Sequence, residues 1–208
     1  DAAPRAGQSR GRSGGDGGSV GENSAASGRP RPISRASSHP YFDGAWCDGV
    51  RNFYWQNALM WLEDYRADGL RLDAVHAISE KDFLVELAER VSSAIPSNRH
   101  IHLILENEGN NASLLEQGFD AQWNDDGHNI LHHLLTGEKE GYYSEFIASP
   151  TTKLARFLAE GFIFQGETSR HGHARGEPSG HLPPTAFVLF LQNHDQIGNR
   201  ALGERLID

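Results

Sequence analysis

The sequence predicts an α/β fold built on a parallel sheet, and three observations carry that reading. Short apolar runs recur at Leu70 to Val75, His100 to Leu105 and Ala186 to Leu191, the pattern of strands covered on both faces. Segments with helical spacing and helix punctuation lie between them. Each run carries a carboxylate near or shortly after its C-terminal end: Asp73, Glu106 and Asp195.

The chain opens differently. Residues 1 to 38 hold 8 Gly, 8 Ser and 6 Arg and no aromatic residue, so they bury too little to offset the ~1–2 kcal/mol of backbone entropy lost per ordered residue. A disordered leader is expected there, with the folded part at 39 to 208. Gly14-Gly15-Asp16-Gly17-Gly18 is no phosphate loop, because no Gly-Lys-Ser/Thr follows it.

From Arg51 to Ala67, Phe53, Tyr54, Leu59, Trp61, Leu62 and Tyr65 fall on a broad helical stripe, and Gly69 stops the helix. Leu70 to Val75 is the first strand. Ser79, with Asp82 three residues on, reads as a capping-box start for a helix to about Ile95, where Pro96 follows. The second strand is His100 to Leu105. A weaker one lies at Phe119 to Trp123, after which Asp126 is expected to cap a short helix through Leu135. Ser149 and Pro150 start another helix, running to about Glu160. Ala186 to Leu191 is the last strand, followed at once by Gln192-Asn193-His194-Asp195.

Composition excludes whole classes of function. With 38% hydrophobic and 23% charged residues, no apolar run approaches the ~18–20 needed to span a bilayer, so no membrane partner is expected. A net charge of -9 repels phosphate backbones, and no nucleic-acid partner is expected either. The single cysteine, Cys47, allows no intramolecular disulfide, and the N-terminal stretch lacks a signal's apolar segment, which together point to a cytoplasmic setting.

In parallel α/β sheets the strand C-termini converge on one face, where active sites are built. Two carboxylates held ~5–5.5 Å apart suit a retaining glycosidase, in which one attacks the anomeric carbon and the other protonates the leaving oxygen. Arg71, two residues before Asp73 and on the same strand face, would hold Asp73 ionised. Glu106 follows Leu103, Ile104 and Leu105, an apolar setting expected to raise its pKa toward that of a working acid.

Gly69-Leu70-Arg71-Leu72-Asp73-Ala74-Val75-His76 resembles the fourth-strand motif of the alpha-amylase superfamily, Leu105-Glu106 its fifth-strand motif, and Phe190 to Asp195 its seventh. Runs from Asp68 to Ile78, Leu105 to Leu115, Ala121 to Gly141 and Gly176 to Leu206 are similar to the malto-oligosyltrehalose trehalohydrolase family within it. The resemblance implies part of a (β/α)8 TIM barrel, about strands four to seven. It also implies hydrolysis of the α-1,4 bond next to the trehalose end of maltooligosyl trehalose; no cofactor is expected, and no metal, since the histidines lack a His-Glu-x-x-His arrangement. Asp73 would then be the nucleophile, Glu106 the general acid and base, and Asp195 the transition-state stabiliser. Arg71 and His194 would bind at the cleaved sugar and His76 toward the leaving group. Asp125, Asp126, Gln196 and Asn199 would line subsites. Trp123, at a strand end, is a candidate sugar platform. An α-glucan branching or transglycosylating enzyme of the same superfamily, or an inactive carbohydrate-binding fragment, are the alternative readings.

The chain departs from the family at Gly127, where the resemblance calls for a large apolar or aromatic residue. Nothing resembling the family's first three strands, or its eighth, is found. His128, His132, His133, His171 and His173 are expected at the surface or facing substrate rather than on a metal. Glu108, Glu106's rival as the acid, is expected to be a solvated carboxylate in the loop.

Overall fold

A computed structural model describes residues 42–44 and 47–206. The expected disorder of residues 1 to 38 lies outside them. The described residues belong to one unit of the chain, Ser38–Asp208.

Helix α1 (Cys47–Leu59) begins four residues before the expected start and continues into a wide π-type turn at Met60–Asp64. It buries Ala58 and the turn buries Leu62, whereas Phe53, Trp61 and Tyr65 stand exposed. The stripe is therefore covered only in part: Leu62 and Leu59 join the core and Tyr54 meets the Phe83 ring. Strand β1 (Gly69–Leu72) follows, and a Cβ at Gly69 would sit 2.5 Å from the His102 carbonyl oxygen, so glycine here permits the close approach of the next strand.

Helix α2 (Lys81–Ala94) starts after Glu80, with Ser79 Oγ donating to Glu80 Oε1 instead of capping the helix. The expected capping box does not form. Phe83, Leu84, Leu87, Ala88 and Val91, spaced by three and four, bury one helical face. With Ala58, Leu62, Leu103, Leu105, Leu114 and Phe119 they make the larger core.

Strand β2 (His102–Leu105) pairs in parallel with β1, Gly69 opposite His102 and Leu72 opposite Leu105. The weak third strand is present as β3 (Ala121–Trp123), parallel to β2. Helix α3 (Asp125–Thr136) is capped by Asn124, whose side chain accepts from the Gly127 N–H at 3.1 Å; Asp126 lies inside the first turn and is not the cap. Helix α4 (Pro150–Glu160) starts at the proline, as expected, though Ser149 takes a left-handed conformation and offers no side-chain cap. A second core of Ile130, Phe146, Phe157, Ile163 and Phe164 packs between α3 and α4.

A small antiparallel hairpin, β4 (Glu167–Thr168) and β5 (Ala174–Arg175), was not foreseen. The last expected strand shrinks to β6 (Phe187–Val188), because Leu189 and Leu191 point to solvent. Strand β6 pairs in parallel with β3, giving the order β1-β2-β3-β6. Every neighbour in this sheet is parallel, so the strand C-termini share one face. The short helix α5 (His194–Gly198) follows, closed by an Asn193/Gln196 capping box.

Candidate active site

Arg71 is the hub at the C-terminal face. Its Nη1 donates to Asp73 Oδ1 at 2.7 Å and its Nη2 pairs with Glu106 Oε2 at 3.2 Å, so one guanidinium spans the ends of β1 and β2. The guanidinium carbon lies 4.0 Å from the Trp123 ring centroid, a cation–π contact that adds β3 to the assembly. The backbone helps: Glu106 N–H donates to the Leu72 carbonyl and Val75 N–H to the Glu106 carbonyl, which extends the β1–β2 pairing past both strands. Ala74 is forced into a left-handed conformation at φ 48° and aims its N–H at Glu106 Oε2, 2.7 Å away. Such strain in a non-glycine residue, of order 1–3 kcal/mol, persists where the surroundings over-determine it.

These contacts set the two carboxylates apart. Asp73 is largely exposed, and the Arg71 hydrogen bond holds its carboxyl below the usual carboxylate range; the Arg71 charge, the Glu106 hydrogen bond and the His194 charge act in the same direction, against desolvation. Glu106 is mostly buried but does not sit among apolar groups as the sequence implied: Arg71 and the Ala74 N–H meet its carboxylate. Burial pushes the Asp125 carboxyl up to about 7, with the charges of Glu106 and Asp126 adding to desolvation and Arg175 opposing.

A cleft of about 520 Å³ opens beside Glu106, with His76, Asp125, Asp195, Gln196 and Asn199 on its walls. Asp195 reaches it from the first turn of α5 rather than from a strand end, its N–H held by Asn193 Oδ1 at 2.9 Å. His194 lies 3.4 Å from Asp195 and edge-on to Trp123. His76 Nδ1 accepts from the Glu108 N–H at 3.4 Å, and Glu108 also faces the cleft.

Two expected binding residues are otherwise engaged. One face of the Trp123 indole carries Arg71, with Phe190 and His194 packed at 5.4 and 6.0 Å, so the ring is part of the site's scaffold. Asp126 is fully buried and off the cleft: its Oδ1 accepts from Arg175 at 2.7 Å, and its Oδ2 from Asn110, Ile163 N–H and Phe164 N–H. The histidines of α3 also depart from expectation. His128, His132 and His133 are buried, bonded to the Leu191 carbonyl, the Glu138 carboxylate and the Glu138 carbonyl. Arg200, which closes on Glu138 at 2.8 Å, forms part of the cleft wall with Tyr142 and Tyr143; no motif in the sequence marked these residues.

No family model matches the chain. Malto-oligosyltrehalose trehalohydrolase from Rhizobium sp. (strain M-11) is 42% identical over 177 residues, 79% of this chain and 29% of that protein. The enzyme of the same name from Saccharolobus solfataricus is 37% identical, over 80% of this chain and 30% of its own. The chain resembles the malto-oligosyltrehalose trehalohydrolases. It spans under a third of the length of these relatives. A crystal structure from Salmonella typhimurium, assigned to the alpha amylases, superposes with a TM-score of 0.71 at 47% identity, covering 77% of this chain and 29% of its own. The parallel sheet with helices is thus an alpha-amylase-like α/β arrangement, and the trehalohydrolase likeness extends over most of the described residues. No helix among them is long and apolar enough to cross a membrane.

Proposed function

We propose that this chain supplies the catalytic carboxylates of a retaining glycoside hydrolase that acts on maltooligosyl trehalose. It cleaves the α-1,4 glucosidic bond next to the trehalose end. The carrying observation is the Arg71 bridge, which holds Asp73 and Glu106 at adjacent strand ends while Asp195 faces Glu106's cleft. In this reading the sheet forms about strands four to seven of a (β/α)8 barrel, and the substrate lies across their C-terminal face.

Asp73, kept ionised by Arg71, attacks the anomeric carbon as Glu106 gives its proton to the departing oxygen, leaving a glycosyl ester on Asp73. Glu106, now ionised, takes a proton from water as that water attacks the same carbon; the ester breaks and Asp73 is restored. Asp195 faces the positive charge that develops on the sugar ring, and His194 and Arg71 hold hydroxyls of the cleaved residue. His76, Asp125, Gln196 and Asn199 contact sugars on either side.

The test is a trapping experiment on these residues carried within a complete barrel. With Glu106→Gln and an α-glucosyl fluoride, whose leaving group needs no proton, mass spectrometry should find a glycosyl adduct on Asp73. Asp73→Asn should lower turnover of maltooligosyl trehalose by at least about 10³-fold while oligosaccharide binding persists. An adduct on Asp195 or Glu108 would overturn the assignment.

A further inference from the structure

At the other end of the sheet, away from the cleft, His102 opens β2 and Asp120 immediately precedes β3. With His100 they form a cluster in which one ligand atom of each residue lies within 4.8 Å of the other two. His100 Nε2 is 3.3 Å from Asp120 Oδ1, and the two imidazoles meet edge to face with centroids 4.4 Å apart.

Asp120 is the fixed member. Its Oδ2 accepts from the Leu103 N–H at 2.8 Å and its own N–H donates to the Leu103 carbonyl at 2.9 Å, which leaves Oδ1 for His100. Ligand carboxylates are oriented by such secondary hydrogen bonds. Metal–ligand bonds of ~2.0–2.2 Å in a tetrahedron place ligand atoms ~3.3–3.6 Å apart, so the His100–Asp120 edge already has the required length. The remaining gaps close by about 1.5 Å at most, a rotamer adjustment open to exposed side chains. Two imidazoles and one carboxylate match the preference of zinc-class ions, with a fourth position left to water.

We propose that His100, His102 and Asp120 bind a divalent transition-metal ion of the zinc class, which clips the start of β2 to the chain entering β3. A surface ion pair between His100 and Asp120 needs no third residue; a metal site needs His102. The ion sits across the sheet from the carboxylates, so it acts on stability and takes no part in glycoside chemistry. Binding the folded chain alone raises stability with ion concentration.

The experiment titrates Zn²⁺ into the metal-free 208-residue chain, by calorimetry and by thermal unfolding, with Co²⁺ absorption as a direct report of coordination. One ion per chain should bind, and Tm should rise with Zn²⁺. His102→Ala, which leaves the His100–Asp120 pair in place, should weaken binding at least about tenfold, as should Asp120→Asn, which keeps the acceptor for Leu103. Changing the exposed pair His171 and His173 to Ala should leave binding unaltered. Absence of saturable binding would overturn the proposal. So would binding undiminished by His102→Ala, or lost instead with the His171/His173 changes.

Discussion

At Asp125, burial outweighs the nearby cation. With its pKa pushed up to about 7, the folded chain keeps a proton there that the unfolded chain, at the ordinary value of 3.8, has already lost. The stability linked to that proton is complete at low pH and disappears as pH rises through about 7. Asp125→Asn, which cannot ionise, should therefore exceed the parent in stability at pH 8, by on the order of 4 kcal/mol at most, and the gap should shrink as pH falls below 7 and nearly close at pH 4. Chemical denaturation at both pH values checks this, and a gap that widened on acidification would contradict it. His128 works in the opposite sense. Burial lowers its pKa from 6.5 to about 4, so the unfolded chain takes up a proton that the folded chain refuses, and stability falls as pH drops from about 6.5 to about 4. His128→Gln should flatten that acid limb, worth on the order of 3 kcal/mol at most. Unfolding at pH 6.5 and 4.5 reads it.

Between elements, the α3–α4 contact turns on Gly127. A Cβ built there would lie 2.4 Å from the Phe157 ring, so the space beside this position is filled by an aromatic ring from the neighbouring helix. Gly127→Ala should destabilise by about 1–3 kcal/mol through overpacking, and adding Phe157→Leu should recover part of the loss. Denaturation of both single variants and the double one tests the coupling. The same region shows what the sequence could convey. Strands β1 and β2 were readable because both are near-continuous apolar runs, and the structure places Asp73 and Glu106 directly after them. The hairpin β4–β5 was not, since two-residue strands carry no period. Nor was the role of Asp126, whose partner Arg175 is 49 residues away and whose other partners are largely backbone N–H groups. The cap at α3 was misplaced by two residues because Asn124 and Asp126 are both good capping side chains and only the backbone chooses between them. On α1 and the turn after it, periodicity shows which residues share a face, but burial depends on what packs against that face, so Leu62 is covered and Phe53 is not.

At the scale of the molecule, the site depends on strands that a parallel sheet must hold in place. Among the described residues β1 pairs only with β2 and β6 only with β3, so two sheet edges present unpaired backbone groups. Phe53, Tyr65 and Leu158, each at least 66% exposed, add apolar surface. Unpaired edges and exposed apolar side chains both recruit other chains. In the proposed mechanism, aiming Glu106 and Asp73 at one glycosidic oxygen and carbon calls for geometry good to about half an ångström, which an open sheet with free edges does not enforce. The 208-residue chain by itself should therefore self-associate with rising concentration. It should release trehalose from maltooligosyl trehalose no faster than its own Asp73→Asn variant. Sedimentation velocity over a concentration series, alongside quantification of free trehalose, measures both at once. A chain that stays monodisperse and releases trehalose above the Asp73→Asn level would show that four parallel strands suffice to aim the carboxylates. The requirement for a closed barrel would then fall, while the assignment of Asp73 as nucleophile would stand.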